Sequence, residues 1–236
     1  MSPKESQQLV YTTQLISFLT SQYQDEIKIT GANFSWKFDW NSPYLGAGAT
    51  FLDNTYSIVL LGGTVRSTGS DFDVLSVTLC HEIGHILGGA PHQRFGDQLE
   101  EDWSSAEGQS DWFAASQCLP KVFQHFKEVG LINVSPSFAE NSTCQKTARP
   151  LMCEWIRNAS QKFSDSIYEI YIKSDGVTPR PMLSLDAPEV VQNTLVGTYP
   201  SPQCRLDTLK RGALCASQSV TDDFCQRPVC WFARQQ

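Results

Sequence analysis

The chain has 236 residues, 41% of them apolar and 11% aromatic, which is enough for a sizeable core in one compact domain. A formal net charge of −7 at pH 7 without a run of Lys or Arg argues against a nucleic-acid surface, and no stretch reaches the ~20 apolar residues of a membrane span. Six of the eight cysteines (Cys144, Cys153, Cys204, Cys215, Cys225 and Cys230) crowd the C-terminal part at short spacings amid turn residues, the texture of a disulfide-stapled region from an oxidising compartment.

The polar start, Met1-Ser2-Pro3-Lys4-Glu5-Ser6, has no apolar signal-peptide core. With the cysteines, this gives the expectation of a secreted or periplasmic protein whose signal peptide is absent from the sequence. Residues 7–23 hold Leu9, Leu15, Ile16, Phe18 and Leu19 without Gly or Pro, and read as a helix packed on the core. Strands are expected within 27–40, at Lys28-Ile29-Thr30 and at 33–38 with alternating aromatics, and within 48–61, ending at Gly62-Gly63.

Residues 70–87 open with Ser70, Asp71 and Asp73 and then place apolar residues at 72, 75, 79, 83, 86 and 87. That is helical spacing behind a cap signal, and Gly88-Gly89 and Pro91 stop it. Residues 89–103 read as a polar loop on the rim of a cleft, and 104–115 as a second helix. A further helix continues beyond Pro120, and 130–143 reads as loop. Residues 144–173 are again helical, while 174–202 are rich in Pro and turns. No internal repeat is visible.

The first of these helices carries Cys80-His81-Glu82-Ile83-Gly84-His85, an H-E-x-x-H pattern, although the chain has only four His. On a helix, i and i+4 share a face, so His81 and His85 can present ring nitrogens to one Zn²⁺ at roughly 2.0–2.1 Å. Glu82 then stands beside the open metal position, where a carboxylate can take a proton from a bound water of pKa about 7. The bland alternative is a core helix with two incidental histidines.

For a third ligand, His92 lies one residue too late for the Gly-x-x-His turn of metzincins, and Pro91 occupies the expected place. The better candidate is Glu107, with Asp111 one turn on, in Ser104-Ser105-Ala106-Glu107-Gly108-Gln109-Ser110-Asp111. Here the chain resembles the gluzincins, the thermolysin-like branch of zinc peptidases. The resemblance implies a zincin-like α+β fold, with His81, His85 and Glu107 as ligands of one Zn²⁺ per chain, Glu82 as general base, and Asp111 holding a ligating imidazole. An outer acceptor also has an independent reason, since it fixes the imidazole tautomer and raises its basicity. Ser104-x-x-Glu107 also reads as a capping box, which leaves Asp111 unexplained. By the same resemblance, 58–65 is the candidate sheet edge for pairing an extended substrate; an ordinary core strand is the alternative.

The motif pattern, Gly-Gly before H-E-x-x-H and E-G-Q-x-D after it, is also similar to that of secreted bacterial proteins with a Pro-x-Gln-Cys-Arg-x-Asp tail. In that tail Tyr199 and Arg205 are candidate donors to an oxyanion; Tyr199 holding a turn and Arg205 in a structural ion pair are the alternatives. His125 reads as a packed or exposed residue. Among the cysteines, sequence-local pairs Cys204–Cys215 and Cys225–Cys230 are the simplest guesses. Cys80 and Cys118 form either a bridge or two buried thiols.

These readings give residues 1–135 as a zincin-like catalytic region and 136–236 as a helical, cysteine-rich region packed on the same domain. The expected function is zinc-dependent hydrolysis of peptide bonds in a peptide or protein substrate, with another amide such as a cell-wall crosslink open to the same chemistry. The rival is a secreted, disulfide-stapled binding protein on an inactive zincin scaffold, against which the intact Glu82 counts.

Overall fold

A computed structural model describes residues 1–67, 71–94, 103–134, 143–218 and 225–234. Helix α1 (Pro3–Ile29) begins with a capping box in which the Glu5 N–H donates to Ser2 Oγ and the Ser2 N–H to the Glu5 carboxylate. Two orphan donors of the first turn are thereby satisfied. Leu15, Leu19, Tyr23 and Ile27 are all fully or nearly fully buried, a stripe with a step of four that carries the helix past the expected strand at 28–30. Residues 28 and 29 are therefore helical, and the chain turns only at Gly31, whose φ of 86° suits glycine.

Strands β1 (Asn33–Asp39), β2 (Ala47–Leu52) and β3 (Thr55–Leu61) form one sheet in the order β1-β3-β2, with β3 parallel to β1 and antiparallel to β2. Asp53 and Asn54, both at positive φ, make the two-residue turn between β2 and β3. The expected substrate-pairing edge at 58–65 is thus corrected: β3 is paired on both sides, and Gly62–Arg66 is a short helix, α2. The edge beside the cleft belongs to β2. Because the Leu61 N–H bonds to the Gly46 carbonyl, Gly48, Thr50 and Leu52 direct their backbone groups to β3. Those of Ala47, Ala49 and Phe51 point outward.

Helix α3 (Phe72–Leu87) is the centre of the molecule. Asp71 Oδ1 caps it by accepting from the Val74 N–H at 3.0 Å, and Leu75, Val77, Leu79 and Ile83 are at most 1% exposed. It packs against α1, β2 and β3, and also against α4 (Glu107–Phe113) and α6 (Pro150–Ile167). A π-helical turn, Ala114–Cys118, joins α4 to α5 (Leu119–Glu128). Helix α7 (Pro202–Ser217) lies on α4, α6 and that turn. Arg205, expected in a loop, is therefore on a helix. The overall class is α+β with a small sheet, and no helix among the described residues is long and apolar enough to cross a membrane.

All eight cysteines are paired, as Cys80–Cys118, Cys144–Cys153, Cys204–Cys230 and Cys215–Cys225. The guessed Cys204–Cys215 and Cys225–Cys230 pairs do not form. Cys204 and Cys215 both lie on α7, where eleven residues at 1.5 Å rise separate them by about 16 Å, far beyond disulfide reach. The Cys80–Cys118 bridge fastens α3 to the far end of the turn that follows α4.

Gly84 sets how closely α4 approaches α3. A Cβ there would stand 2.7 Å from the Ser110 carbonyl oxygen and 2.9 Å from its Cα, and backbone cannot move aside as a side-chain tip can. Gly84→Ala is expected to push the two helices apart and cost about 1–3 kcal/mol. Thermal or denaturant unfolding would measure it; an unchanged stability would mean that the helices are free to separate.

Candidate metal centre

The last two turns of α3 place His81 and His85 on one buried face, their rings at 84° and their Nε2 atoms 3.1 Å apart. His85 Nδ1 lies 2.8 Å from the Ser105 carbonyl, which can only accept, so Nδ1 carries the hydrogen. His81 Nδ1 donates in the same way to Asp111 Oδ1 at 2.8 Å. With both outer nitrogens as donors, the neutral imidazoles turn their Nε2 lone pairs toward one point. Glu107 joins them, with Oε2 3.2 Å from His81 Nε2 and Oε1 3.7 Å from His85 Nε2.

Three such acceptors, all less than 9% exposed, repel one another unless a proton or a metal cation lies between them. Glu107 Oε2 is moreover buried without a hydrogen-bond partner. A tetrahedral ion with ligands at ~2.0–2.1 Å would hold its donors roughly 3.3 Å apart, so the three residues fit a metal ion. The protonation pattern expresses the same demand for positive charge. Burial alone lowers the His81 pKa, but the carboxylates of Asp111 and Glu107 override it and raise it to about 10. Burial, reinforced by His81, takes His85 down to about 4. Glu107 resists burial through its contacts with His81 and falls to about 2.

Helix α4 is brought into place by backbone bonds from the Ser105 N–H to the His85 carbonyl and from the Ala106 N–H to the Pro91 carbonyl, both 2.8 Å. Ala106 is its N-cap, so Glu107 is the first helical residue and the Ser104-x-x-Glu107 capping box does not form. Each residue that follows has a contact of its own. Gly108 passes under Trp231, whose ring a Cβ would meet at 2.3 Å. Gln109 donates to the Gly88 carbonyl at the end of α3, and Ser110 Oγ sits 3.0 Å from His85 Nδ1. Asp111, fully buried, holds His81 and is itself held by Arg205 through Nε to Oδ2 at 2.7 Å and a terminal nitrogen to Oδ1 at 2.8 Å. Although burial opposes it, this paired guanidinium keeps the Asp111 carboxyl well below the usual carboxylate range.

Glu82 points from α3 toward the β2 edge. It is 6% exposed, and its Oε2 has no partner. Burial pushes its pKa up to about 7, opposed in part by the charge of His81 and by the outward-facing Ala49 N–H. A cleft of about 450 Å³ opens over these groups between Ala49 and Phe51 of β2 on one side and Gln93 and Tyr199 on the other. A more apolar cavity of about 460 Å³, bounded by Val74, Phe163, Ile167 and Ile170, adjoins it at His81, Glu82 and Tyr199.

Tyr199, 69% exposed, has its phenol pKa raised to about 12 by partial burial and by the Glu107 charge, so its hydroxyl stays protonated over the cluster. Arg205 lies beneath it, 5.6 Å from the ring centroid. His92 stands apart from the converging donors, in an isolated bridge with Ser105, and His125 stacks on Phe18.

Sequence reasoning missed Gln93, Ser104, Ser110 and the β2 edge. The first three carry no periodic signal, and an edge is defined only by which strands pair. Part of the expected rim loop, residues 95–102, lies outside the described residues, as does 135–142 of the expected loop at 130–143. Comparison of the chain with protein-family models, with curated proteins and with solved structures finds no match.

Proposed function

We propose that the chain is a zinc-dependent peptidase of the zincin type, acting outside the cytoplasm. The observation that carries this reading is the buried Glu82 carboxylate, one oxygen of which has no partner, beside three converging metal donors at the floor of an open cleft. A purely structural metal site has no use for such a group. Two imidazoles and one carboxylate form a donor set suited to Zn²⁺ in a catalytic site, where the bound ion would acidify a water and polarise a substrate carbonyl.

The chain's own residues supply the rest. Glu82 accepts a proton from the attacking water and returns it to the leaving amine. The outward N–H and C=O groups of Ala47 and Phe51, with the C=O of Ala49, whose N–H faces Glu82, hold an extended peptide by adding it to the sheet. The Tyr199 hydroxyl donates to the oxyanion. Arg205, whose Nε and one terminal nitrogen are engaged by Asp111, fits the role of a positioning residue better than that of a second oxyanion donor. The four disulfides are compatible with an oxidising compartment.

The test is metal content together with turnover of unfolded casein. The purified protein is expected to hold about one zinc per chain, to lose turnover on chelation, and to regain it with Zn²⁺. Zinc-loaded protein that cleaves no peptide would favour the rival reading of a binding protein.

A further inference from the structure

Gln93 lies on the loop beyond α3, outside both motifs, yet it contacts the ligand cluster. Its Nε2 donates to Glu107 Oε1 at 3.2 Å, and its Oε1 accepts from Ser104 Oγ at 3.2 Å. Ser104 Oγ is in turn 3.5 Å from His85 Nδ1. The backbone fixes this arrangement, with the Gln93 N–H bonded to the Ser104 carbonyl at 2.7 Å. The two oxygens of Glu107 are thereby made unequal: Oε1 accepts a hydrogen bond, while Oε2 is buried without one and faces His81 Nε2 at 3.2 Å and a terminal nitrogen of Arg205 at 3.9 Å.

We infer that Gln93 is a positioning residue that occupies Glu107 Oε1, so that Glu107 would offer a metal ion Oε2 alone and would leave one coordination position free. A carboxylate free to rotate can bind through both oxygens and close that position. The amide is suited to prevent this because it donates to one oxygen while its own carbonyl is anchored, and Ser104 keeps the amide from flipping. Besides Gln93, Glu107 is faced by the Tyr199 phenol, on an exposed side chain, and by a terminal nitrogen of Arg205 at 3.9 Å from Oε2, so Gln93 is the anchored donor at Oε1.

The inference rests on His81, His85 and Glu107 being metal ligands, and the experiment separates the two. Metal-free protein is titrated with Zn²⁺ against a chromophoric chelator, and with Co²⁺ while the visible absorption is followed, since four-coordinate Co²⁺ absorbs more strongly than five-coordinate. The parent is expected to bind tightly with an intense Co²⁺ band. Gln93→Leu should weaken Zn²⁺ about 10-fold, within the range for loss of an outer-shell partner, and should weaken the Co²⁺ band. Gln93→Lys, which keeps a donor within reach of Oε1, should restore the band. Ser104→Ala, which leaves Gln93 intact but free to flip, should fall between and serves where Gln93→Leu does not fold. A parent that binds neither metal overturns the ligand assignment itself. A parent that binds tightly, with variants matching it in affinity and spectrum, overturns the role of Gln93 alone.

Discussion

Glu82→Gln is expected to retain about one zinc per chain while slowing peptide turnover by at least ~10²–10⁴-fold, the range for loss of a general base. The two halves of this expectation have separate causes. Metal retention is expected because His81, His85 and Glu107 are the group that could hold the ion, and the Glu82 side chain points to the β2 edge. Turnover falls because an amide of the same size cannot take up a proton at this position. The substitution should not harm the fold, since it removes a buried carboxylate whose Oε2 has no partner, a group that is costly to bury. Turnover equal to that of the parent would remove Glu82 from the chemistry. Loss of zinc would make it a ligand.

Glu107→Ala is expected to abolish tight zinc binding, Asp111→Ala to weaken it by roughly 10–100-fold, and His92→Ala to leave it nearly unchanged. Glu107 contributes the anionic donor, without which two neutral imidazoles remain to hold a dication. Asp111 acts at one remove: it accepts from His81 Nδ1 and so keeps Nε2 as the free lone pair. Its loss also leaves the Arg205 guanidinium, only 11% exposed, without its main partner, so stability should fall with affinity. Zinc titration of the three metal-free variants measures the order. If His92→Ala strips the metal while Glu107→Ala keeps it, the third ligand has been misassigned.

The local half of this site is legible in the chain alone. The Asp71 cap, the apolar spacing of 72–87 and the i, i+4 placement of His81 with His85 all lie within one helix, and helical geometry converts such spacing directly into a shared face. The same reasoning put Glu107 and Asp111 on one face of a second helix. The stripe Leu15-Leu19-Tyr23-Ile27 was equally readable, although strand propensity at Lys28-Ile29-Thr30 obscured where that helix ends.

Tertiary structure alone decided which faces meet. Only the approach of the Ser110 backbone shows why position 84, inside a helix, has no side chain. Cys204 pairs with Cys230, 26 residues away, because a helix holds Cys204 and Cys215 apart. Arg205 reaches Asp111 across 94 residues, and Gln93 gains its role only when the loop after α3 folds back on α4. The edge beside Glu82 belongs to β2 because β3 pairs on both sides. Periodicity records the direction a side chain takes from its own element, whereas partners distant in the chain are selected by the packing of the whole core, which no local pattern encodes.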